Sequence, residues 1–199
     1  MNISKRFTFL FLVIIIAGAI FVRTYHYHEW LFFKWDQARD AVLLAPAIQH
    51  GPEHLPLLGP RATRVGNDYL RLGPAYYYTQ YISGALFSST KPDVFAYPDL
   101  FFSILTIPLL YFFLRLYFSR FNALLGVLLY AFSFLIIQYS RFSWNPNSVP
   151  FFTLLSFYGL LQFTKKDQSL KKKTLWLGLW ALALSIASQY HFFALFSLA

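Results

Sequence analysis

The stretch FTFLFLVIIIAGAIFV, residues 7–22, decides the class of this protein. It contains no charged side chain and follows Lys5 and Arg6. A basic start before an apolar run is typical of a first membrane-spanning helix and of a signal peptide. No small-x-small cleavage site lies just before Arg23, and the AGA of residues 17–19 lies inside the apolar run. The stretch therefore predicts an uncleaved span that begins on the cytoplasmic side.

The composition of the whole chain agrees with a membrane protein. Hydrophobic residues make up 57% of the 199 residues and charged residues only 13%, about half the charged share of a soluble domain. The formal net charge is +9, but the basic residues form short clusters between apolar runs, as orientation signals do. We therefore expect no nucleic-acid partner. Because the chain has no cysteine, disulfides and thiolate chemistry are excluded.

Further apolar stretches follow at residues 75–87, 98–118, 122–139, 148–164 and 174–199. The first is shorter than the ~20 residues that a spanning helix needs, and it carries several tyrosines. The sequence KKDQSLKKK, residues 165–173, is the strongest cytoplasmic signal in the chain. If both this cluster and the N-terminus are cytoplasmic, an even number of spans must lie between them. That number is even only if residues 75–87 do not cross the bilayer. This stretch therefore predicts an interfacial helix.

The resulting fold class is an all-α, polytopic transmembrane protein with one domain over residues 1–199. An external segment, residues 23–97, contains the interfacial helix. Because the chain stops within an apolar stretch, we interpret it as the N-terminal portion of a longer protein. The predicted membrane-spanning helices comprise residues 7–22, 98–118, 122–139, 148–164 and 174–199.

Just past the first span, the sequence FFKWDQARDA places two carboxylates and an arginine close together. Asp36 can be the N-cap of a short helix that ends at Pro46. Asp36 and Asp40 can also share one helical face, with Arg39 beside them. A partly desolvated carboxylate at the membrane interface can act as a general base, or it can bind a divalent metal. The two interpretations are compatible.

Three further polar residues are candidates for a site. Arg141 opens the external loop RFSWNPN, where it can snorkel to the interface or pair with a lipid-linked phosphate. Asn145 lies in the same loop, in a segment that is also typical of a turn and helix start. His191 lies in the outer half of the last predicted span, where a histidine either makes an interhelical hydrogen bond or belongs to a site.

The histidine pairs HYH and HGPEH have spacings that zinc ligands use. Gly51 and Pro52 break the helical alignment of His50 with His54, so interfacial polar residues explain these histidines more simply. The sequence predicts no particular metal, and the presence of a divalent cation stays open.

The motif WDQARDA resembles the acidic first-loop motif of the GT-C glycosyltransferases, particularly glycosyltransferase family 39. That family includes the protein O-mannosyltransferases and the lipid A aminoarabinose transferases. Asp36 and Arg39 match its aspartate and arginine, whereas Gln37 replaces the usual glutamate and Asp40 a tyrosine. Two later stretches resemble the family's Gly-Pro segment and its second external loop, namely GPAYYYTQY and YSRFSWNPNSVPFF.

This resemblance implies a GT-C fold and sugar transfer from a polyprenyl-phosphate donor, with inversion, outside the cytoplasmic membrane. Asp36 would deprotonate the acceptor hydroxyl, or bind a metal where one is used. Arg141 would hold the donor phosphate, and Arg39 and Asp40 would shape the site. The remaining substrate-binding candidates are Asn145 and His191.

The resemblance leaves the sugar open, and the acceptor can be a lipid, a glycan or a protein. One alternative is a non-catalytic membrane protein, namely a transporter, a flippase component or an assembly subunit. Another alternative is an inactive fragment of the enzyme. Transporters place polar groups at mid-membrane in paired repeats. The polar groups here cluster in one external segment, which favours a multi-pass enzyme with a cytoplasmic N-terminus and an extracytoplasmic site among the membrane lipids.

Overall fold

A computed structural model describes residues 4–198. In chain order they form the helices and strands α1 (Lys5–Thr24), α2 (Trp35–His50), β1 (Arg61–Val65), β2 (Asp68–Arg71), α3 (Ala75–Leu86), α4 (Pro92–Leu114), α5 (Arg120–Ala131), α6 (Phe134–Tyr139), α7 (Val149–Phe163) and α8 (Leu170–Tyr190). Short 3-10 turns lie at Pro52–His54, Asn145–Ser148 and Phe192–Leu198.

Within residues 4–198, α1 and α4 are the two helices that are long and apolar enough to cross a bilayer. The Ser4 hydroxyl caps α1 by accepting the N–H of Phe7. The predicted span 122–139 is interrupted, because α5 ends at Ala131 and α6 begins at Phe134. The number of spans therefore stays a prediction, while the mostly helical architecture agrees with the sequence.

The all-α prediction is wrong at the hairpin of β1 and β2. The strands pair antiparallel, with Arg61 opposite Arg71 and Val65 opposite Asp68. Gly66 occupies the turn with φ +62°, a conformation that glycine adopts without steric cost. Every strand residue is exposed, and the sequence therefore does not show the apolar alternation that predicts a half-buried strand. The Gly-Asn pair between the strands was the one signal in the sequence for a hairpin turn.

Two apolar cores hold the helices together. The first joins α1, α4 and α5 around Ala19, Ile107 and Val127. The second lies where α2 and α3 pack on α4, α7 and α8, and it contains the buried rings of Tyr76 and Tyr190. Aromatic rings bury large apolar areas, so the second core fixes α2 and α3 against α4, α7 and α8.

Two buried arginines tie chain segments to helix ends. Arg23 donates from Nη1 to the carbonyl of Ala131 at the end of α5 (2.7 Å) and from Nε to Ser103 Oγ (3.2 Å). Arg141 donates from Nη2 to the carbonyls of Tyr25 (2.9 Å) and His26 (2.8 Å), just beyond α1. Terminal helix carbonyls lack intrahelical partners. These bonds therefore fix the loop after α6 to the end of α1.

Candidate active site

Asp36 lies in the first turn of α2 and does not cap it. Lys34 holds the N-cap position, and its N–H donates to Gln37 Oε1 (2.7 Å). The N-cap interpretation of Asp36 is therefore wrong. The helix also continues through Pro46 to His50, so the prediction that it ends at the proline is wrong as well. The Asp36 carboxylate is thus not used for capping, and the side chain is 54% exposed. It lies in the first turn, where the helix dipole favours an anion.

Arg39 connects the two carboxylates that the sequence placed on one face. Its Nη1 donates to Asp36 Oδ1 (3.0 Å), and its Nε and Nη2 contact Asp40 Oδ1 at 2.9 and 2.8 Å. The Tyr77 hydroxyl donates to the same Asp40 oxygen (2.9 Å). Asp40 is buried, whereas Asp36 is accessible. The two carboxylates therefore differ in role: Asp40 anchors Arg39, and Asp36 can meet a substrate.

Burial controls the electrostatics of this group. Burial raises the pKa of Asp40, and the Arg39 charge offsets part of that rise. Burial lowers the pKa of Arg39, but the charge and hydrogen bond of Asp40, together with the nearby Tyr77 and Asp36, outweigh the effect of burial and the net pKa is raised. Burial and the neighbouring Asp40 charge both raise the pKa of Tyr77, which therefore stays a hydrogen-bond donor. Arg39 consequently remains cationic beside Asp36.

A buried network joins α2 and α3 to the loop after α6. Gln37 Nε2 donates to the Ser143 carbonyl (2.7 Å). The Ser143 hydroxyl meets the Tyr76 hydroxyl (2.7 Å) and accepts from Gln80 Nε2. Sequence reasoning missed this network, although glutamine in a short apolar helix was a signal. Because Gln37 and Ser143 are 106 residues apart, only the fold reveals their contact.

We predict that Gln37→Glu destabilises the protein by about 1–3 kcal/mol at neutral pH, because a buried carboxylate would then face the Ser143 carbonyl. Burial would raise the pKa of the new carboxyl, so the loss should grow as pH rises through that pKa. Thermal unfolding in detergent at several pH values measures the effect. Gln49→Glu, at an exposed position of the same helix, is the matched control. Equal stability of both variants would contradict the prediction.

The structure places the other predicted site residues elsewhere. Asn145 Nδ2 donates to the Tyr190 carbonyl at the end of α8 (2.8 Å). His191 follows as the C-cap residue of that helix, and its Nδ1 accepts the N–H of Phe193 (3.2 Å). Within residues 4–198, no hydrogen bond or ion pair connects Arg141, Asn145 or His191 to Asp36. Their roles in binding substrate remain predictions.

The guanidinium of Arg141 is enclosed on several sides. Besides Tyr25 and His26, it donates to the carbonyls of Val22 (3.3 Å) and Arg23 (3.0 Å). Its carbon Cζ also lies 5.5 and 5.6 Å from the ring centroids of Tyr27 and Trp30. The residue is only 7% exposed. This geometry assigns Arg141 a structural role at the end of α1.

Two concavities flank the first turn of α2. The arginine groove, of about 540 Å³, is lined by Trp35, Ala38, Arg39, Val42, Leu43, Arg61, Arg71 and Tyr77. The aromatic cleft, of about 250 Å³, is lined by Phe32, Lys34, Asp36, Gln37, Tyr139, Phe142 and Trp144. A shallower depression lined by Phe33, Lys34, Trp35 and Ala38 shares wall residues with both. Sequence analysis missed Arg61 and Arg71 because it missed the hairpin.

The histidine pairs make contacts with neighbouring side chains. His28 Nδ1 lies 2.5 Å from Asp93 Oδ2, which links the segment after α1 to the start of α4. The rings of His50 and His54 lie 5.9 Å apart between centroids. Within residues 4–198, no group of three or more histidine, aspartate or glutamate side chains is placed to hold a metal.

Comparison with known proteins decides the family. The model of the dolichyl-phosphate-mannose-protein mannosyltransferases matches residues 10–199. The chain belongs to this mannosyltransferase family. Membership confirms the resemblance to GT-C enzymes of family 39 and makes the chain a glycosyltransferase-family membrane protein. Among curated proteins, none matches the chain by sequence.

Two solved structures share the fold of this mannosyltransferase-family chain. One is the Archaeoglobus fulgidus oligosaccharyltransferase in its apo form, with 18% identity and a TM-score of 0.68 over 93% of this chain. The other is the oligosaccharyltransferase AglB of the same organism with an inhibitory peptide and a dolichol-phosphate, again with 18% identity and a TM-score of 0.68, over 92% of this chain. The chain covers 24% of each structure, about a quarter of its length.

Proposed function

We propose that this chain forms part of a membrane glycosyltransferase that moves a sugar from a polyprenyl-phosphate donor to an acceptor hydroxyl on the extracytoplasmic side. One observation carries the proposal. The exposed carboxylate of Asp36 lies next to a groove lined by three arginines. A base beside an anion-binding groove is the pair of features that transfer from a phosphate ester requires.

Asp36 is the proposed general base. In the reaction, the acceptor oxygen forms a bond to the anomeric carbon, and the bond from that carbon to the phosphate oxygen breaks. The hydroxyl proton passes to the Asp36 carboxylate, and polyprenyl phosphate leaves with the bonding electron pair. Arg39 holds Asp36 Oδ1 at 3.0 Å and so orients the carboxylate toward the acceptor. Attack opposite the leaving phosphate inverts the anomeric centre.

The arginine groove is the proposed site of the donor phosphate. Arg39, Arg61 and Arg71 line it together. Because Arg39 is already bonded to Asp36 and Asp40, Arg61 and Arg71 are the arginines proposed to bind the phosphate. Planar guanidinium groups bind phosphate oxygens in pairs and keep their charge at all relevant pH values. Val42 and Leu43 expose apolar surface in the same groove, which suits the first isoprene units of the donor.

A divalent metal fits this site poorly. The Arg39 guanidinium already bridges Asp36 and Asp40, so a cation placed between the two carboxylates would meet a fixed positive charge. The proposed reaction therefore uses the arginines for the phosphate charge and involves no metal step.

We predict that the double variant Arg61→Gln, Arg71→Gln raises KM for the donor by about tenfold or more, with a smaller change in kcat. Each substitution removes a charge-assisted contact to the donor phosphate. The measurement is transfer from radiolabelled polyprenyl-phosphate sugars in membranes that contain the complete protein. Arg64→Gln is the matched control, since Arg64 lies on the same hairpin but donates to the Gly66 carbonyl and does not line the groove.

An unchanged donor KM in the double variant would contradict the role of the groove. An equal rise in the Arg64 variant would show that any charge on the hairpin attracts the donor. Absence of transfer from every sugar donor by the unmodified protein would favour the non-catalytic alternative.

A further inference from the structure

We propose that the aromatic cleft is the subsite for the sugar ring of the donor, and that Trp144 is its principal stacking residue. The inference rests on the proposed function and deepens it. It assigns a role to Trp144, a residue of the loop after α6 that the sequence analysis did not select beside Arg141 and Asn145. The ligand class is one pyranose or furanose ring.

One side of the cleft is a continuous aromatic wall. The ring centroids of Phe32 and Phe142 lie 5.1 Å apart, and those of Tyr139 and Phe142 lie 5.5 Å apart. Trp144 extends the wall, at 5.9 Å from Tyr139 and 6.1 Å from Phe142, with its plane inclined by 26° to the Phe142 ring. These four rings come from two segments more than a hundred residues apart in the chain.

The lining of the cleft also carries charges next to the aromatic wall. Lys34 and Asp36 both line it, and the Lys34 ammonium lies 4.5 Å from the centroid of the Phe32 ring. A sugar ring has an apolar face of C–H groups and an edge of hydroxyls. The aromatic wall would shield the C–H face from water, while the ammonium and the carboxylate would bind hydroxyls. The cleft thus has the two kinds of surface that a sugar ring needs.

The aromatic cleft, of about 250 Å³, is about half the volume of the arginine groove, of about 540 Å³. We therefore assign the smaller group of the donor, the sugar ring, to the cleft. The larger arginine groove on the other side of the α2 first turn is the place for the phosphate and the start of the chain.

The arrangement of the two concavities also suits the reaction. The depression between them shares Lys34 with the aromatic cleft and Trp35 and Ala38 with the arginine groove. A donor whose sugar lies in the cleft and whose phosphate lies on the side of the arginine groove would place its glycosidic bond beside the α2 first turn, near Asp36.

The backbone that carries Trp144 is anchored independently of its side chain. The Trp144 N–H donates to Asp99 Oδ2 (3.0 Å), and the Ser148 hydroxyl donates to Asp99 Oδ1 (2.5 Å). Asp99 is buried in α4. Asn147 Nδ2 also holds the Phe142 carbonyl (2.8 Å). Removal of the Trp144 indole should therefore leave the loop attached to α4. A Trp144 variant then tests the contribution of the aromatic wall to binding without displacing the loop.

The test compares binding of two kinds of lipid to the complete protein in detergent. One is bare dolichyl phosphate, and the other is a panel of dolichyl phosphates that each carry one sugar, including mannose. We expect the unmodified protein to bind at least one sugar-bearing lipid more tightly than the bare lipid. Trp144→Ala should weaken binding of that lipid by about tenfold and leave binding of bare dolichyl phosphate unchanged. Trp144→Phe should retain most of the preference.

Trp176→Ala is the matched control, because Trp176 is also half-buried and also contacts one tyrosine ring, Tyr158 at 5.8 Å. It should change neither affinity. Equal weakening of both lipids by Trp144→Ala would overturn the subsite, and so would the absence of any preference for a sugar-bearing lipid in the unmodified protein. Failure of the unmodified protein to bind either lipid would instead refute the proposed donor, and the subsite with it.

Discussion

Asp36→Asn is expected to lower sugar transfer by at least about a hundredfold, since a positioned general base contributes 10²–10⁴-fold. The amide cannot accept the acceptor proton, but it keeps the size of the side chain and one oxygen for Arg39. Because Asp36 is 54% exposed and does not cap the helix, the variant should fold and express normally. Transfer from radiolabelled polyprenyl-phosphate sugars in membranes measures the loss.

Asp68→Asn is the matched control for this experiment. Asp68 is another exposed carboxylate in the segment between α1 and α4, on β2 of the hairpin, and its loss should leave transfer unchanged. Full activity of the Asp36 variant would remove Asp36 from the reaction and direct the search to Asp40. Loss of activity together with loss of protein from the membrane would mean that the Asp36–Arg39 contact matters for folding.

Arg141→Ala is expected to destabilise the protein by about 3 kcal/mol or more, because it leaves the carbonyls of residues 22, 23, 25 and 26 without their charged donor. Arg141→Lys should recover part of this stability, since an ammonium can reach some of these oxygens but lacks the planar fork. Thermal unfolding in detergent gives the order unmodified, lysine variant, alanine variant.

Arg64→Ala, at an exposed hairpin position, is the control for loss of an arginine, and its unfolding temperature should not move. The same set of variants distinguishes the structural role of Arg141 from the phosphate-binding role that the family resemblance implies. If Arg141→Ala unfolds at the normal temperature but has a raised KM for the donor, the phosphate-binding role is supported and the structural role is contradicted.

The sequence predicted the features that depend on neighbouring residues. The position of α1 follows from the apolar run after Lys5 and Arg6, and the short helix that contains Asp36 follows from its local pattern. The exact start of that helix was wrong, since Lys34 takes the cap position. The hairpin was missed because its exposed strands carry no apolar periodicity, which is the main signal for strands.

By itself, the sequence determined that this is a helical membrane protein of the GT-C type, with an acidic motif just after the first apolar helix. The helical membrane class follows from hydropathy and the GT-C type from the resemblance of the motifs to that family, and both depend on neighbouring residues and not on the fold. Only the tertiary structure decided that Asp40 is buried while Asp36 is exposed, and that Arg61 and Arg71 join Arg39 in one groove. It also decided that Arg141 holds the end of α1. These outcomes depend on contacts between distant segments, because burial and charge pairing are set by the residues that folding brings together.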